Sequence, residues 1–94
     1  MNASHRHYSG VLVGADPARL EQALAALDAL DGVEVYRIDA ESARLVVVLE
    51  SDDRDGQERL FRTLAALPEV RSADLAYHWI DTEPGADLSE KGAP

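Results

Sequence analysis

Short apolar runs separated by polar turns divide the first half of the chain into recognisable segments. Residues 7–13 are rich in β-forming side chains, and Gly14 closes this first predicted strand. Asp16 and Pro17 then predict a helix start, with Asp as N-cap and Pro at the first helical position. Gly32 predicts the end of this helix. Its apolar stripe has helical spacing and consists of Leu20, Leu24, Leu27 and Leu30.

The second half repeats this organisation. Residues 33–38 and 44–50 predict a second and a third strand joined by a polar turn. The three acidic residues Asp52, Asp53 and Asp55 complement the N-terminal dipole of a second helix, which Pro68 ends. Residues 70–80 predict a fourth strand. The stripe of the second helix consists of Leu60, Phe61, Leu64 and Leu67.

The element order is therefore βαββαβ, and residues 27–33 echo residues 64–70 as expected for two similar halves. We predict an α+β fold of the ferredoxin-like split βαβ type. Its four-stranded antiparallel sheet has the order 4-1-3-2, with two helices on one face. Residues 7–80 form this domain. Residues 81–94 are acidic with a single Leu, so we expect a disordered tail.

The face of the sheet that the helices leave open is predicted to be apolar. Residues 45–49 of strand three are apolar at every position, whereas a strand exposed on one side should alternate with polar residues. Such an uncovered patch indicates an interaction surface or self-association. The residues predicted there are Tyr8, Gly10, Leu12, Glu34, Tyr36, Ile38, Leu45, Val47, Leu49, Asp74, Ala76 and His78.

Charge and composition exclude several function classes. The formal charge of −9 disfavours binding to nucleic acid or to anionic membranes and favours a cationic partner. Strand three lacks the aromatic residues that stack bases in RNA-binding sheets of this class. The chain has no Cys, and no secretory signal is apparent, so we expect a cytoplasmic protein.

No residue pattern predicts catalysis, a metal site or a cofactor. The carboxylates fall in loops, helix starts and the predicted tail, and no Ser lies in a nucleophile-elbow motif. His5, His7 and His78 could approach one another on neighbouring strands, but solvated histidines at a strand end are the simpler interpretation. We therefore expect a binding protein and no catalytic or metal-ligating residues.

Four segments together resemble the NapD family, the cytoplasmic chaperones of periplasmic nitrate reductase assembly. They are residues 9–13, residues 31–35, residues 44–50 and residues 75–78, which read SGVLV, DGVEV, RLVVVLE and LAYH. The chain departs from the family pattern at Asp31, where members tend to have Pro, and in carrying Trp79.

The resemblance implies a chaperone that binds the twin-arginine signal peptide of the nitrate reductase catalytic subunit. Binding would delay export until cofactor insertion is complete. The apolar sheet face and the acidic charge suit a peptide with an Arg pair and an apolar segment. We expect a monomer or a weak homodimer. The alternatives are a small-molecule-binding regulatory domain of ACT or AsnC type, which shares the topology, and a self-associating structural module.

Overall fold

The computed structural model describes residues 6–81, and the predicted elements are all present in it. Residues 82–94 of the predicted tail, like His5, lie outside the described residues, and Asp81 is the last residue of the fourth strand. Neither helix within residues 6–81 is long and apolar enough to cross a membrane. The elements are β1 (Arg6–Ala15), a 3-10 turn (Pro17–Arg19), α1 (Leu20–Asp28), β2 (Val33–Asp39), β3 (Arg44–Ser51), α2 (Arg54–Ala65) and β4 (Val70–Asp81).

The sheet has the order β2-β3-β1-β4 and all its neighbouring strands are antiparallel. This confirms the predicted order 4-1-3-2 and the ferredoxin-like fold. Both helices pack on the same side, because Leu27 of α1 and Leu64 of α2 belong to one core cluster with β1 and β3. The strand residues of that cluster are Val11, Val13, Leu45, Val47 and Leu49.

Side-chain caps explain where the helices start. The Asp16 carboxylate accepts a hydrogen bond of 3.0 Å from the Ala18 amide, so it caps the 3-10 turn and α1 itself starts only at Leu20. The Asp53 carboxylate accepts a hydrogen bond of 2.8 Å from the Gly56 amide and caps α2, as predicted from the acidic residues at this helix start. Replacing such a cap typically costs about 1 kcal/mol of stability.

The prediction that Leu45, Val47 and Leu49 face outward is wrong. All three side chains are buried in the core between the sheet and the helices. The alternate residues Val46 and Val48 therefore point to the open side, where they are half-buried.

A buried polar side chain joins α2 to the sheet. Gln57 donates from its side-chain nitrogen to the carbonyl oxygens of His7 at 2.8 Å and Leu49 at 3.2 Å. The Ser51 hydroxyl lies 3.1 Å from the same nitrogen, so one of the two hydrogens on that nitrogen is shared between two acceptors. The Ser9 hydroxyl donates to the Gln57 side-chain oxygen. Because buried amides are costly when unpaired, this network fixes how α2 sits on β1 and β3.

Two β-bulges change which side chains face outward. In β2 the register shifts between Val35 and Arg37, so Tyr36 is the extra residue. Ile38 pairs with Leu45 of the core and is thereby assigned to the helix side, not to the open face as predicted. In β4 the register shift leaves Ala76 unpaired with β1, and Tyr77 pairs with Gly10. Tyr77 consequently lies on the open face, where the sequence analysis did not place it.

Candidate functional site

The candidate site is the sheet surface opposite the helices, which we call the open face. Val46 and Val48 of β3 form its centre, and β1 and β4 lie to one side of them with β2 on the other. Three large side chains on it are strongly exposed, at 71% for Tyr36, 56% for Tyr77 and 51% for Leu12. The open face includes Tyr8, Gly10, Leu12, Glu34, Tyr36, Arg37, Arg44, Val46, Val48, Asp74, Tyr77 and Trp79.

Three aromatic rings form a cluster at one end of this face. Tyr8 and Trp79 are stacked with ring centroids 5.1 Å apart, and Tyr77 lies 5.1 Å from Trp79. The ring of Tyr77 lies directly over Gly10, where an added Cβ would be 2.8 Å from the Tyr77 Cζ. The absence of a side chain at Gly10 thus allows Tyr77 to lie against the sheet.

An apolar groove runs beside the aromatic cluster. It has a volume of about 520 Å³ and crosses the sheet from β4 to β2. Its walls are aromatic and its floor is formed by valines, with Glu34 as the only carboxylate among its lining residues. The lining residues are Tyr8, Glu34, Tyr36, Arg37, Val46, Val48, Tyr77 and Trp79.

The other end of the open face is polar. A smaller groove of about 280 Å³ there is lined by Leu12 and by charged residues of three strands, including Arg37, Arg44 and Asp74. Asp74 pairs in register with Leu12, so its carboxylate stands beside the apolar centre. Among the ion pairs of residues 6–81, none uses Asp74 or Glu34. Both carboxylates can therefore accept donors from a ligand.

Six of the predicted residues lie together on the open face: Tyr8, Gly10, Leu12, Glu34, Tyr36 and Asp74. Ala76 is exposed at its bulge. The sequence analysis missed Arg37, Arg44, Val46, Val48, Tyr77 and Trp79. The two valines could have been found, because the polar residues Arg44 and Glu50 share their alternation and mark it as the outward set.

His78, predicted on the open face, lies on the helix side. It pairs in register with the buried Ser9, and its ring centroid is 5.6 Å from that of His7. Burial, together with the neighbouring charges of His7 and Arg54, lowers the pKa of His78. No cluster of three or more metal-binding side chains occurs within the described residues.

Comparison with known proteins agrees with this architecture. The family model described as NapD protein matches residues 6–82, which is most of the chain. The chain belongs to the NapD family. The solution structure of the E. coli Tat proofreading chaperone protein NapD is similar, with a TM-score of 0.73 and 27% sequence identity over 87% of this chain and 85% of that one. No curated protein sequence matches the chain.

NapD membership confirms the resemblance on which the sequence analysis relied. The departure noted at Trp79 also has a structural role, because this side chain joins Tyr8 and Tyr77 into one aromatic surface. Asp31 lies in the turn before β2, and its neighbour Gly32 has a φ of 85°, a conformation that glycine adopts without strain.

Proposed function

We propose that the chain is a cytoplasmic chaperone that binds the twin-arginine signal peptide of the periplasmic nitrate reductase catalytic subunit on its open face. Binding holds the precursor back from export until its cofactors are inserted. The chaperone role follows from membership of the NapD family and from the similarity to a Tat proofreading chaperone. The regulatory alternative of ACT or AsnC type finds no support in either comparison.

The observation that carries the proposed site is the exposure of large apolar side chains on one uncovered sheet face. Leu12, Tyr36 and Tyr77 are each more than half exposed, whereas the helix side of the two central strands, β1 and β3, is buried in the core. Burial of such side chains contributes about 25 cal/mol for each Å² of apolar surface removed from water. The apolar segment of a signal peptide supplies the complementary surface.

The Arg pair of the peptide requires carboxylates at the margin of this surface. Glu34 on β2 and Asp74 on β4 occupy those positions, and an Arg guanidinium can bond both oxygens of either carboxylate. Two cationic side chains, Arg37 and Arg44, line the polar groove together with Asp74. In the apolar groove, Arg37 is the only cationic side chain among the residues that line it with Glu34. The net charge of −9 adds a long-range attraction for the cationic peptide.

We propose no catalytic role for this chain. Its candidate site is an apolar sheet surface with two separated carboxylates, and its histidines at positions 7 and 78 lie on the other side of the sheet. A general acid and base would have to converge on one bound group.

A matched pair of variants tests the site. Tyr77 and Leu75 are neighbours on β4 with the same exposure of 56%, but Tyr77 lines the groove of the open face and Leu75 lines a groove beside α2. Titration calorimetry with a synthetic twin-arginine signal peptide should show binding weakened at least about tenfold by Tyr77→Asp, because the change places an unpaired charge under the apolar segment. Leu75→Asp should leave the affinity unchanged.

Two further substitutions test the extent of the face. Leu12→Asp and Tyr36→Asp should remain folded by circular dichroism and lose peptide binding, since neither side chain belongs to the core. Val11→Asp should unfold the domain, because Val11 is fully buried. Normal affinity in both Leu12→Asp and Tyr36→Asp would exclude the open face as the binding site.

A further inference from the structure

A second concave surface lies on the other side of the sheet, where the helix layer ends short of β4. Leu75 pairs with the fully buried Val11, yet it is 56% exposed because α2 does not cover it. Between α2 and β4 this leaves a groove of about 420 Å³. Its lining residues are Ser9, Arg54, Gln57, Glu58, Phe61, Arg62, Leu75 and His78.

The groove combines an apolar wall with polar groups suited to an anion. Phe61 of α2 and Leu75 of β4 supply apolar surface from opposite sides. His78 contributes a buried Nε2 atom that has no hydrogen-bond partner within residues 6–81. Buried polar atoms are rarely left unpaired, so this nitrogen would gain a partner from a group bound deep in the groove. Concave apolar sites with a few convergent polar groups are the usual form of small-ligand sites.

The charges around the groove favour a carboxylate. Arg54 forms none of the ion pairs found within residues 6–81, whereas the Glu58 carboxylate is offset by Arg62 at 3.6 Å. The charge of Arg54 reaches His78 and helps to lower the pKa of that imidazole. The groove thus presents one uncompensated cation in a protein whose net charge is −9.

We infer that this groove binds a small organic acid, with its carboxylate at Arg54 and His78 and its apolar body between Phe61 and Leu75. The charged and titratable groups that face His78 are His7 of β1 and Arg54, Glu58 and Arg62 of α2. A bound carboxylate favours the protonated imidazole, so ligand binding raises the pKa of His78. The site is separate from the proposed peptide surface and does not depend on it.

Two-dimensional NMR of the full chain tests this inference without any signal peptide. The protein is titrated with 4-phenylbutyrate and, in a separate experiment, with the uncharged 4-phenylbutanol. The carboxylate should shift resonances of Phe61, Leu75 and the His78 ring, and it should bind at least about tenfold more tightly than the alcohol. The His78 titration midpoint should rise when 4-phenylbutyrate is present.

Matched variants of α2 distinguish a specific binding site from nonspecific attraction of the anion to positive charge. Arg54→Gln should weaken 4-phenylbutyrate binding several-fold and leave the alcohol unaffected. Arg59→Gln, which removes the same charge from the same helix but does not line the groove, should change neither. Equal binding of acid and alcohol, equal effects of the two variants, or shifts confined to Tyr77 and Trp79 would each overturn the inference.

Discussion

The contact of Gly10 with Tyr77 offers the sharpest test of how the open face is built. In Gly10→Ala the new methyl carbon would lie 2.8, 3.0 and 3.2 Å from three carbons of the Tyr77 ring. Carbon atoms prefer separations of about 3.5–4.0 Å, so the ring has to move outward by roughly 1 Å. Tyr77 is 56% exposed and can make this movement. The substitution should therefore disturb the aromatic surface and leave the core intact.

The magnitudes predict a small effect on stability and a larger one on binding. Loosening an aromatic contact costs about 0.5–1.5 kcal/mol. Replacing Gly by Ala recovers about 0.4–1 kcal/mol through the unfolded chain, because Gly10 does not have a positive φ. The net change in the free energy of unfolding should stay within about 1 kcal/mol. Affinity for the twin-arginine peptide should fall about five- to tenfold, since the displaced ring no longer matches the bound surface.

A double-mutant cycle decides whether Tyr77 is the cause. Urea unfolding and titration calorimetry are measured for Gly10→Ala, Tyr77→Ala and the double variant. In the Tyr77→Ala background, Gly10→Ala should have no further effect on binding. An equal loss of affinity in both backgrounds would refute the argument, because the methyl group would then act on the peptide without Tyr77.

Three other predictions follow from buried polar and charged groups. Gln57→Ala should lower the free energy of unfolding by about 2–4 kcal/mol in urea denaturation, because it removes two buried and two partly buried hydrogen bonds and leaves partners such as the Leu49 carbonyl unpaired. Because the folded-state pKa of His78 lies below its ordinary value of 6.5, the unfolded state binds more protons below that pH, so stability should fall from about pH 6.5 downward. His78→Gln should flatten this dependence in melting curves across that range, and an unchanged slope would contradict the assignment. Peptide binding should weaken as salt rises from about 0.05 to 0.5 M, mainly through slower association in stopped-flow measurements, and salt-independent rates would exclude steering by the acidic surface.

The sequence by itself determined the element order and, through it, the sheet topology. Apolar stripes at helical spacing and the cap at Asp53 locate the helices, because one face of each must be buried and its first amides need acceptors. Short right-handed connections then leave the order β2-β3-β1-β4. The family resemblance rested on short motifs in this same order.

Which side chains of the strands face away from the helices depended largely on the tertiary structure. Residues 45–49 are apolar at every position, so a period of two gives no contrast within that run. Only the flanking Arg44 and Glu50 mark the outward set, and packing against Leu27 and Leu64 buries the other. The bulges at Tyr36 and Ala76 each add one residue, which reverses the alternation beyond them. A sequence pattern cannot show such an insertion, because it is set by pairing between strands distant in the chain. That pairing alone brought Tyr77 over Gly10 and placed His78 beside α2.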